Sequence, residues 1–344
     1  MSTTTTNTAA WLNEPKAHPF TISPAPLWKP SATEILIKNH AVAINPVDPS
    51  LQRHPWWPLN YPTMLGQDVA GEVVAVGESV TRFKPGDRVV GHADGMTSGR
   101  NESNAFQQYT VLATNLASHI PDHVEFESAV VLPLGLSTAA CGLFQEDTLN
   151  LRYPTEPRVQ GKGEGETLLV WGGASSVGSN AIQLAVAAGY KVVTTASPKN
   201  FEYVKRLGAR QVFDYNSPAV VDEIVVALSG KEIVGAIDCI GPPALQATVD
   251  VVLRAEGVKI VSTVKPRSAP PQTTVTVKGI LGTTLKENEV GKAIYEDFLP
   301  KALAARSFVP APEPLVVGTG LEKIQEAVDL CGKGVSARKV VVLL

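Results

Sequence analysis

The stretch Thr167-Leu168-Leu169-Val170-Trp171-Gly172-Gly173-Ala174-Ser175-Ser176-Val177-Gly178 decides how the rest of this chain is read. Its first five residues are apolar enough for a strand buried on both faces. Small residues follow, and then a helical pattern over Val177 to Ala188 that stops at Gly189. Backbone N–H groups at a helix N-terminus bind a pyrophosphate when no bulky side chain stands in the way. Gly173 to Ser176 meet that requirement. Against G-x-G-x-x-G, Gly173 and Gly178 match and Ser175 takes the place of the middle glycine. The string alone also fits an ordinary strand–helix turn. Its place as the first βα unit of a series decides for a dinucleotide site.

That series runs to about Thr284. Val192 to Ala196, Val212-Phe213, Ile233 to Ile240, Val258 to Val264 and Val275 to Leu281 read as strands. Pro198 to Leu207, Pro218 to Leu228 and Pro242 to Arg254 read as helices between them. Repeated βα units of this length predict a parallel, doubly wound sheet. Thr33 to Thr114 is different. Short Val- and Ile-rich runs are punctuated by turns such as Lys84-Pro85-Gly86-Asp87, which predicts a small barrel-like β domain. Arg152 to Glu166 reads as a surface excursion. Near the end, Thr319-Gly320-Leu321-Glu322 has capping-box spacing before an amphipathic helix with Leu321, Ile324, Ala327, Val328 and Cys331 on one face. Ala337 to Leu344 reads as a last strand.

Length and composition bound the function. The 344 residues exceed what one core usually serves, so two domains are expected. A net charge of −3 argues against a nucleic-acid groove. Cys141, Cys239 and Cys331 are too few for a four-cysteine zinc site and odd in number for a fully paired disulfide framework. Reduced thiols in a cytoplasmic protein are the simpler expectation. Met1 to Ala10 has no basic or apolar segment, so no signal peptide and a floppy tail are expected. No charge-free run of apolar residues long enough for a membrane span is read.

The second βα unit separates the cofactors. An NAD site wants an acidic residue about 20 positions after the glycines. Here that place holds Ser197-Pro198-Lys199-Asn200. A hydroxyl and an ammonium suit a 2′-phosphate, which a carboxylate repels, so NADPH is expected over NADH. Lys199 also fits a solvated first-turn lysine, and Tyr215, after the third strand, fits either adenosine contact or plain packing.

Taken together, the β-rich amino-terminal part, the βα series and the carboxy-terminal return resemble the medium-chain dehydrogenase/reductase superfamily. The resemblance rests on Asn45-Pro46-Val47-Asp48, Leu65-Gly66-Gln67-Asp68-Val69-Ala70-Gly71, Phe83 to Val89, Leu136 to Ala140 and Ser336 to Val340, in that order. It implies an α/β fold with a GroES-like catalytic domain over 1–140 and 297–344 and a Rossmann NADP-binding domain over 141–296. The departures matter. Zinc-dependent members place Cys where Asn45 stands and His where Gln67 stands, and they carry a cysteine-rich lobe where Gly91 to Tyr109 has no Cys. No metal is therefore expected. What remains is similar to quinone reductases, 2-alkenal reductases and the trans-acting enoyl reductases of fungal polyketide pathways. The last group lies nearest on Asn45 to Asp48, Ala105 to Tyr109 and Ser197 to Asn200. Resemblance then implies roles. Gly173, Ala174, Ser175, Ser176 and Val177 would hold the pyrophosphate. Ser197, Lys199, Asn200 and Tyr215 would hold the 2′-phosphate side. Thr263, Arg338 and Lys339 would reach the cofactor, with Asp48 at the domain cleft. Thr138, Leu281, Gly282 and Thr283 would lie near nicotinamide and substrate.

Without a metal, a ketone lacks its usual electrophile, and a conjugated C=C is the easier target. The expected reaction is hydride transfer from NADPH to an activated double bond, with an enolate held by hydrogen-bond donors. Asn45, Gln67, Thr138 and Tyr61 are candidate donors by position. Gln67 also fits a buried amide filling a former ligand's place, and His54 to Pro58 fits either a pocket lining or a packed loop. Two rivals stand beside this reading: an NADPH:quinone reductase, and an NADP-binding partner or structural protein with little turnover. The expected partners are a small-molecule or acyl-thioester substrate and, from the fungal resemblance, a polyketide synthase, with no nucleic acid and no membrane. A monomer is favoured over a homodimer, because the prolines of Pro266 to Pro271 cannot donate to a strand pair at the sheet edge.

Overall fold

The Val- and Ile-rich runs of the amino-terminal third pair as antiparallel strands in the computed structural model, which describes residues 6–159, 165–265 and 274–344. The chain divides into two units, 1–134 with 309–344, and 135–308.

The first unit holds β1 (Asn7–Leu12), β2 (Thr21–Ala25), β3 (Glu34–Ala43), β4 (Thr63–Met64), β5 (Asp68–Val76), β6 (Arg88–His92), β7 (Tyr109–Ala113) and β8 (Ala117–His119). The carboxy-terminal segment adds β15 (Glu313–Thr319) and β16 (Arg338–Leu343). Its helices are α1 (Val47–Arg53), α2 (Gly95–Ser98), α3 (Phe126–Ala129) and α11 (Ile324–Lys333). A sheet of order β15-β16-β3-β5-β6-β8, with β7 on the first half of β3, stands beside a small sheet β2-β1-β4. β3 is the spine: its ten residues pair with β5, β7 and β16. Alternate residues of these strands and one face of α11 bury a shared core that includes Ile35, Ile37, Val69, Phe106, Ile324 and Val340. The Lys84–Asp87 turn is held at both ends, by Asp87 N on Lys84 O (3.1 Å) and Lys84 N on Asp87 Oδ2 (2.9 Å).

The second unit holds β9 (Thr167–Trp171), β10 (Lys191–Ala196), β11 (Gln211–Asp214), β12 (Ile233–Asp238), β13 (Ile260–Thr263) and β14 (Thr276–Gly279). They form one parallel sheet of order β11-β10-β9-β12-β13-β14. That order reverses at β9, as in dinucleotide-binding folds. The helices are α4 (Pro133–Phe144), α5 (Ser176–Ala187), α6 (Phe201–Arg206), α7 (Val220–Leu228), α8 (Ala244–Arg254), α9 (Glu289–Lys292) and α10 (Leu299–Ala304). Leu169, Val193, Ala236 and Val261 pack beneath α7 and α8.

Several expectations are corrected. The floppy tail is instead β1 from Asn7 onward, with Ala9 and Ala10 fully buried. Threonine-rich polarity hid it, whereas pairing with β2 and β4 satisfies its backbone. The capping box does not form. Thr319 is the last residue of β15, and Gly320 (φ +99°) turns the chain into a 3₁₀ turn at Leu321–Lys323 before α11. Pro198 to Leu207 splits into a 3₁₀ turn, Pro198–Asn200, and α6. The two compact units change over at 134/135 and 308/309, where the sequence reading placed the domain bounds at 140/141 and 296/297. Phe126–Phe144 is long and apolar enough, by length and composition alone, to cross a membrane, although Glu127 keeps it from being a charge-free run. It is mostly buried, as the core of a folded domain is. Pro266 to Pro271, on which the monomer expectation rested, lies outside the described residues.

Candidate functional site

In the second unit, polar groups gather at the carboxyl ends of the strands, where open α/β sheets bind ligands. Gly172 (φ +85°) turns the chain out of β9, a conformation that disfavours any side chain. Its N–H donates to Thr195 Oγ1 (2.9 Å), and Gly173 N–H donates to Thr195 O (2.9 Å). A Cβ on Gly178 would lie 2.2 Å from Gly172 O, so α5 approaches the strand as only glycine allows. Ser175 is the N-cap of α5. Its hydroxyl accepts from Gly178 N (3.0 Å) and donates to Gly172 O (2.8 Å). That leaves the N–H groups of Ser176 and Val177 without a helical acceptor. Ala174 to Val177 are half-exposed. The residues present thus fit a dinucleotide pyrophosphate: two glycines followed by small side chains, with orphan donors at a helix end.

Register brings the next candidates together. Ala196 of β10 lies opposite Asp214 of β11, so Ser197 and Tyr215 leave neighbouring strand ends side by side. Ser197 Oγ accepts from Asn200 Nδ2 (3.1 Å). Lys199 is exposed, and Tyr215 is 47% exposed. Asp214 is turned onto Asn216, accepting from its N–H (2.9 Å) and its Nδ2 (2.9 Å). Thr138 is 8% exposed on α4. One turn further along that helix, Cys141 Sγ lies 3.6 Å from Gly282 O, which places α4 against the 281–283 loop. Leu281 is 40% exposed there, while Thr283 is buried. Ser137 Oγ meets Tyr295 Oη (2.7 Å), fastening α4 to the π-helical stretch. Burial pushes the Cys141 thiol up to about 11 and raises Cys239 well above its ordinary value, so neither is a nucleophile at neutral pH.

A cavity of about 450 Å³ opens at the opposite, amino-terminal edge of this sheet, lined by Thr167, Lys191, Val193, Arg210, Gln211 and Lys231. It lies at the wrong end of the strands for the dinucleotide.

In the first unit, β16 runs beside β3, and Ile44 N–H donates to Val340 O (2.9 Å). This pairing sets Lys339 against Asn45. Lys339 Nζ contacts Asn45 Oδ1 and lies 2.8 Å from Asp68 Oδ2, with side chains 3% and 0% exposed. Asn45 Nδ2 also donates to Asp68 Oδ2 (2.8 Å), and Leu134 N donates to Asp68 Oδ1 (2.7 Å). Asp48, buried in the first turn of α1, accepts from Asn45 N (2.7 Å) and Gly66 N (3.2 Å). Burial first, and then the nearby Asp68 carboxylate, push it up to about 7. His92 Nε2 pairs with Gln67 Oε1 (3.2 Å), and burial pulls His92 down to about 4. Gln67 Nε2 reaches Met96 Sδ at 3.8 Å. Trp57 donates to Met96 O (2.9 Å) and packs on the core, whereas Trp56 is 42% exposed. The Tyr61 hydroxyl is buried without a hydrogen-bond partner among the described residues. Strand alternation sends Arg338 the other way from Lys339, onto Pro314 O (2.8 Å) and near Glu313. Among the described residues, no group of three or more His, Cys, Asp or Glu side chains is placed to hold a metal ion.

Residues 31–122 match the alcohol dehydrogenase GroES-like domain, and residues 176–294 match the zinc-binding dehydrogenase family. A zinc-binding alcohol dehydrogenase domain-containing protein of Emericella nidulans, cipB, is 59% identical over the whole of both chains. The chain belongs to the medium-chain dehydrogenase/reductase superfamily. It is an oxidoreductase of that superfamily. The trans-enoyl reductase himH of Aspergillus japonicus is 41% identical, over 98% of this chain and 97% of its own. A crystal structure of an alcohol dehydrogenase superfamily protein from Novosphingobium aromaticivorans, 25% identical, superposes with a TM-score of 0.79 over 98% of this chain and 99% of its own.

Sequence reasoning missed Asp68, His92 and Tyr295. Asp68 was in view as the residue after Gln67. The other two carry no local signal, since their partners Gln67 and Ser137 lie far away in the chain.

Proposed function

We propose that this superfamily member is a zinc-independent, NADPH-dependent reductase of an activated carbon–carbon double bond, with an enoyl thioester or enone as substrate. The observation that carries the reading is the Lys339 ammonium, buried between Asn45 Oδ1 and Asp68. The amides of Asn45 and Gln67 stand where zinc-dependent relatives place Cys and His. Amides are poor zinc ligands, and an internal cation already neutralises the carboxylate. A carbonyl reduction that needs a Lewis acid is therefore disfavoured here, and conjugate addition is favoured. The likeness to a trans-enoyl reductase supports the same acceptor.

Bound nicotinamide would supply a hydride to the β-carbon. The chain's own residues do the rest. The Gly173–Val177 turn and the N-terminus of α5 bind the pyrophosphate. Ser197 and Lys199 offer a hydroxyl and a cation to a 2′-phosphate, with the Asp214 carboxylate held on Asn216. Both ends of the Asn45 and Gln67 amides are engaged, which makes them structural supports. The Tyr61 hydroxyl has no such partner, and burial raises its pKa, so it keeps its proton at neutral pH. It is the donor in the first unit best suited to deliver a proton to the α-carbon.

The test is to follow NADPH absorbance with an enoyl thioester, an enone, a quinone and an aldehyde in turn. Turnover with the first two and not with the aldehyde supports the proposal. Turnover with the quinone alone makes the protein a quinone reductase. NADPH binding without any oxidation makes it a binding protein. Tyr61→Phe should lower kcat on the enone with little change in NADPH affinity.

A further inference from the structure

The dinucleotide turn has a second wall, built by the chain leaving β12. Cys239 N–H donates to Trp171 O (3.0 Å), so this exit runs alongside the end of β9. Ile240 follows, and it lies directly over the phosphate-binding turn. A Cβ on Gly172 would come within 2.5 Å of Ile240 Cγ1. Ile240 is 40% exposed, an apolar surface presented at the ligand-binding edge of the sheet.

What holds that wall is a carboxylate. Asp238, the last residue of β12, is fully buried. Its Oδ1 accepts from Ile240 N (3.0 Å) and Gly241 N (3.1 Å). Its Oδ2 accepts from Gly241 N (3.1 Å) and from Thr263 Oγ1 (2.8 Å). Thr263 ends β13 and lies opposite Asp238 in the ladder. The Thr263 oxygen in turn accepts from Lys265 N (3.3 Å). Two adjacent strand exits are thereby tied to one side chain. Both oxygens are consumed by these donors, so the carboxylate acts inward on its own loop. Charge-assisted bonds to backbone N–H groups are the strong kind, and they fix a short turn that has no ladder of its own.

We propose that Asp238 is a positioning residue for the dinucleotide: with Thr263 as its partner, it sets the 239–241 turn so that Ile240 forms an apolar wall over Gly172. Thr263, expected to touch the cofactor, works through Asp238. The inference rests on the nicotinamide-dependent reading above and adds a residue that governs cofactor affinity without touching the cofactor.

The experiment measures NADPH dissociation constants by fluorescence titration on the full chain, with the thermal midpoint recorded for each variant. Asp238→Asn keeps the size but puts an amide donor where Gly241 N–H and Thr263 O–H now donate. It should weaken NADPH binding at least tenfold. Thr263→Val is the gentler variant if Asp238→Asn fails to fold, and it should weaken binding several-fold while Thr263→Ser restores it. In the Asp238→Asn background, Thr263→Val should add less than twofold, because the two act as one unit. Affinities within twofold of wild type in folded Asp238→Asn or Thr263→Val overturn the inference alone. Fully additive losses overturn it too, by giving Thr263 a direct contact. A wild-type protein that binds no nicotinamide dinucleotide overturns the function reading, and this inference with it.

Discussion

Replacing Lys339 with methionine removes a buried cation and keeps most of its volume. The side chains of Lys339 and Asp68 are 3% and 0% exposed, and their charged atoms are 2.8 Å apart. Without the ammonium, Asp68 remains a buried carboxylate with the Asn45 amide and the Leu134 N–H as its donors. Breaking a buried pair from one side costs about 3–5 kcal/mol. The two surviving hydrogen bonds put the expected loss at the low end, about 3 kcal/mol. For a unit of this size each kcal/mol moves the midpoint by roughly 2–4 °C, so Lys339→Met should lower Tm by about 6–12 °C. Differential scanning calorimetry at pH 7 measures it. Adding Asp68→Asn removes the stranded charge, and the double variant should regain at least half of the loss. A drop under about 2 °C in the single variant, or a double variant whose loss equals the sum of the two singles, would refute the coupled buried pair.

Three further outcomes are expected. Asp48 is raised from 3.8 to about 7, so its stabilisation is complete below about 4 and disappears as pH rises through 7. His92 is lowered from 6.5 to about 4, so its stabilisation is complete above 6.5 and disappears as pH falls through 4. The two slopes oppose each other: between pH 4 and 6.5, Asp48→Asn should make stability rise with pH more steeply than wild type, and His92→Gln should make it fall. Identical pH profiles of denaturant midpoints in all three proteins would contradict both shifts. Gly178→Ala drives a methyl into Gly172 O and should weaken NADPH binding at least tenfold by isothermal titration, with overpacking of about 1–3 kcal/mol in the turn. Lys199→Ala should lower the NADPH-over-NADH preference by about ten- to a hundredfold, since a charge-assisted hydrogen bond is worth about 1.5–3 kcal/mol. An unchanged ratio of the two dissociation constants removes Lys199 from cofactor discrimination.

The βα series and its phosphate turn were legible because their signals are local. Val177 to Ala188 carries its own helical period, and Gly178 its own spacing from Gly173. Every expected strand of that series is present, with its end displaced by a few residues where a turn takes over. The first ten residues were misread because composition alone cannot show that Ala9 and Ala10 have a sheet to enter. The capping box failed for a related reason: Thr319 was already committed to β15. The buried polar cluster of the first unit was the least legible. Asn45 and Gln67 were read as candidate donors, and Gln67 also as a buried amide; the hydrogen-bonding groups of both are occupied by Lys339, Asp68, His92 and Met96.

By itself, then, the amino-acid sequence determined the two kinds of architecture, the phosphate-binding turn and the absence of the cysteine and histidine ligands. Each depends on neighbours within one turn or one strand. Tertiary structure alone decided where Lys339 goes. Its partner Asn45 is 294 residues away and meets it only because β16 lies beside β3. Only the same register could show that Arg338 faces outward while Lys339 is buried. A buried charge needs its counter-charge within a few ångströms, and the sheet pairing that brings the two together is a long-range property of the fold.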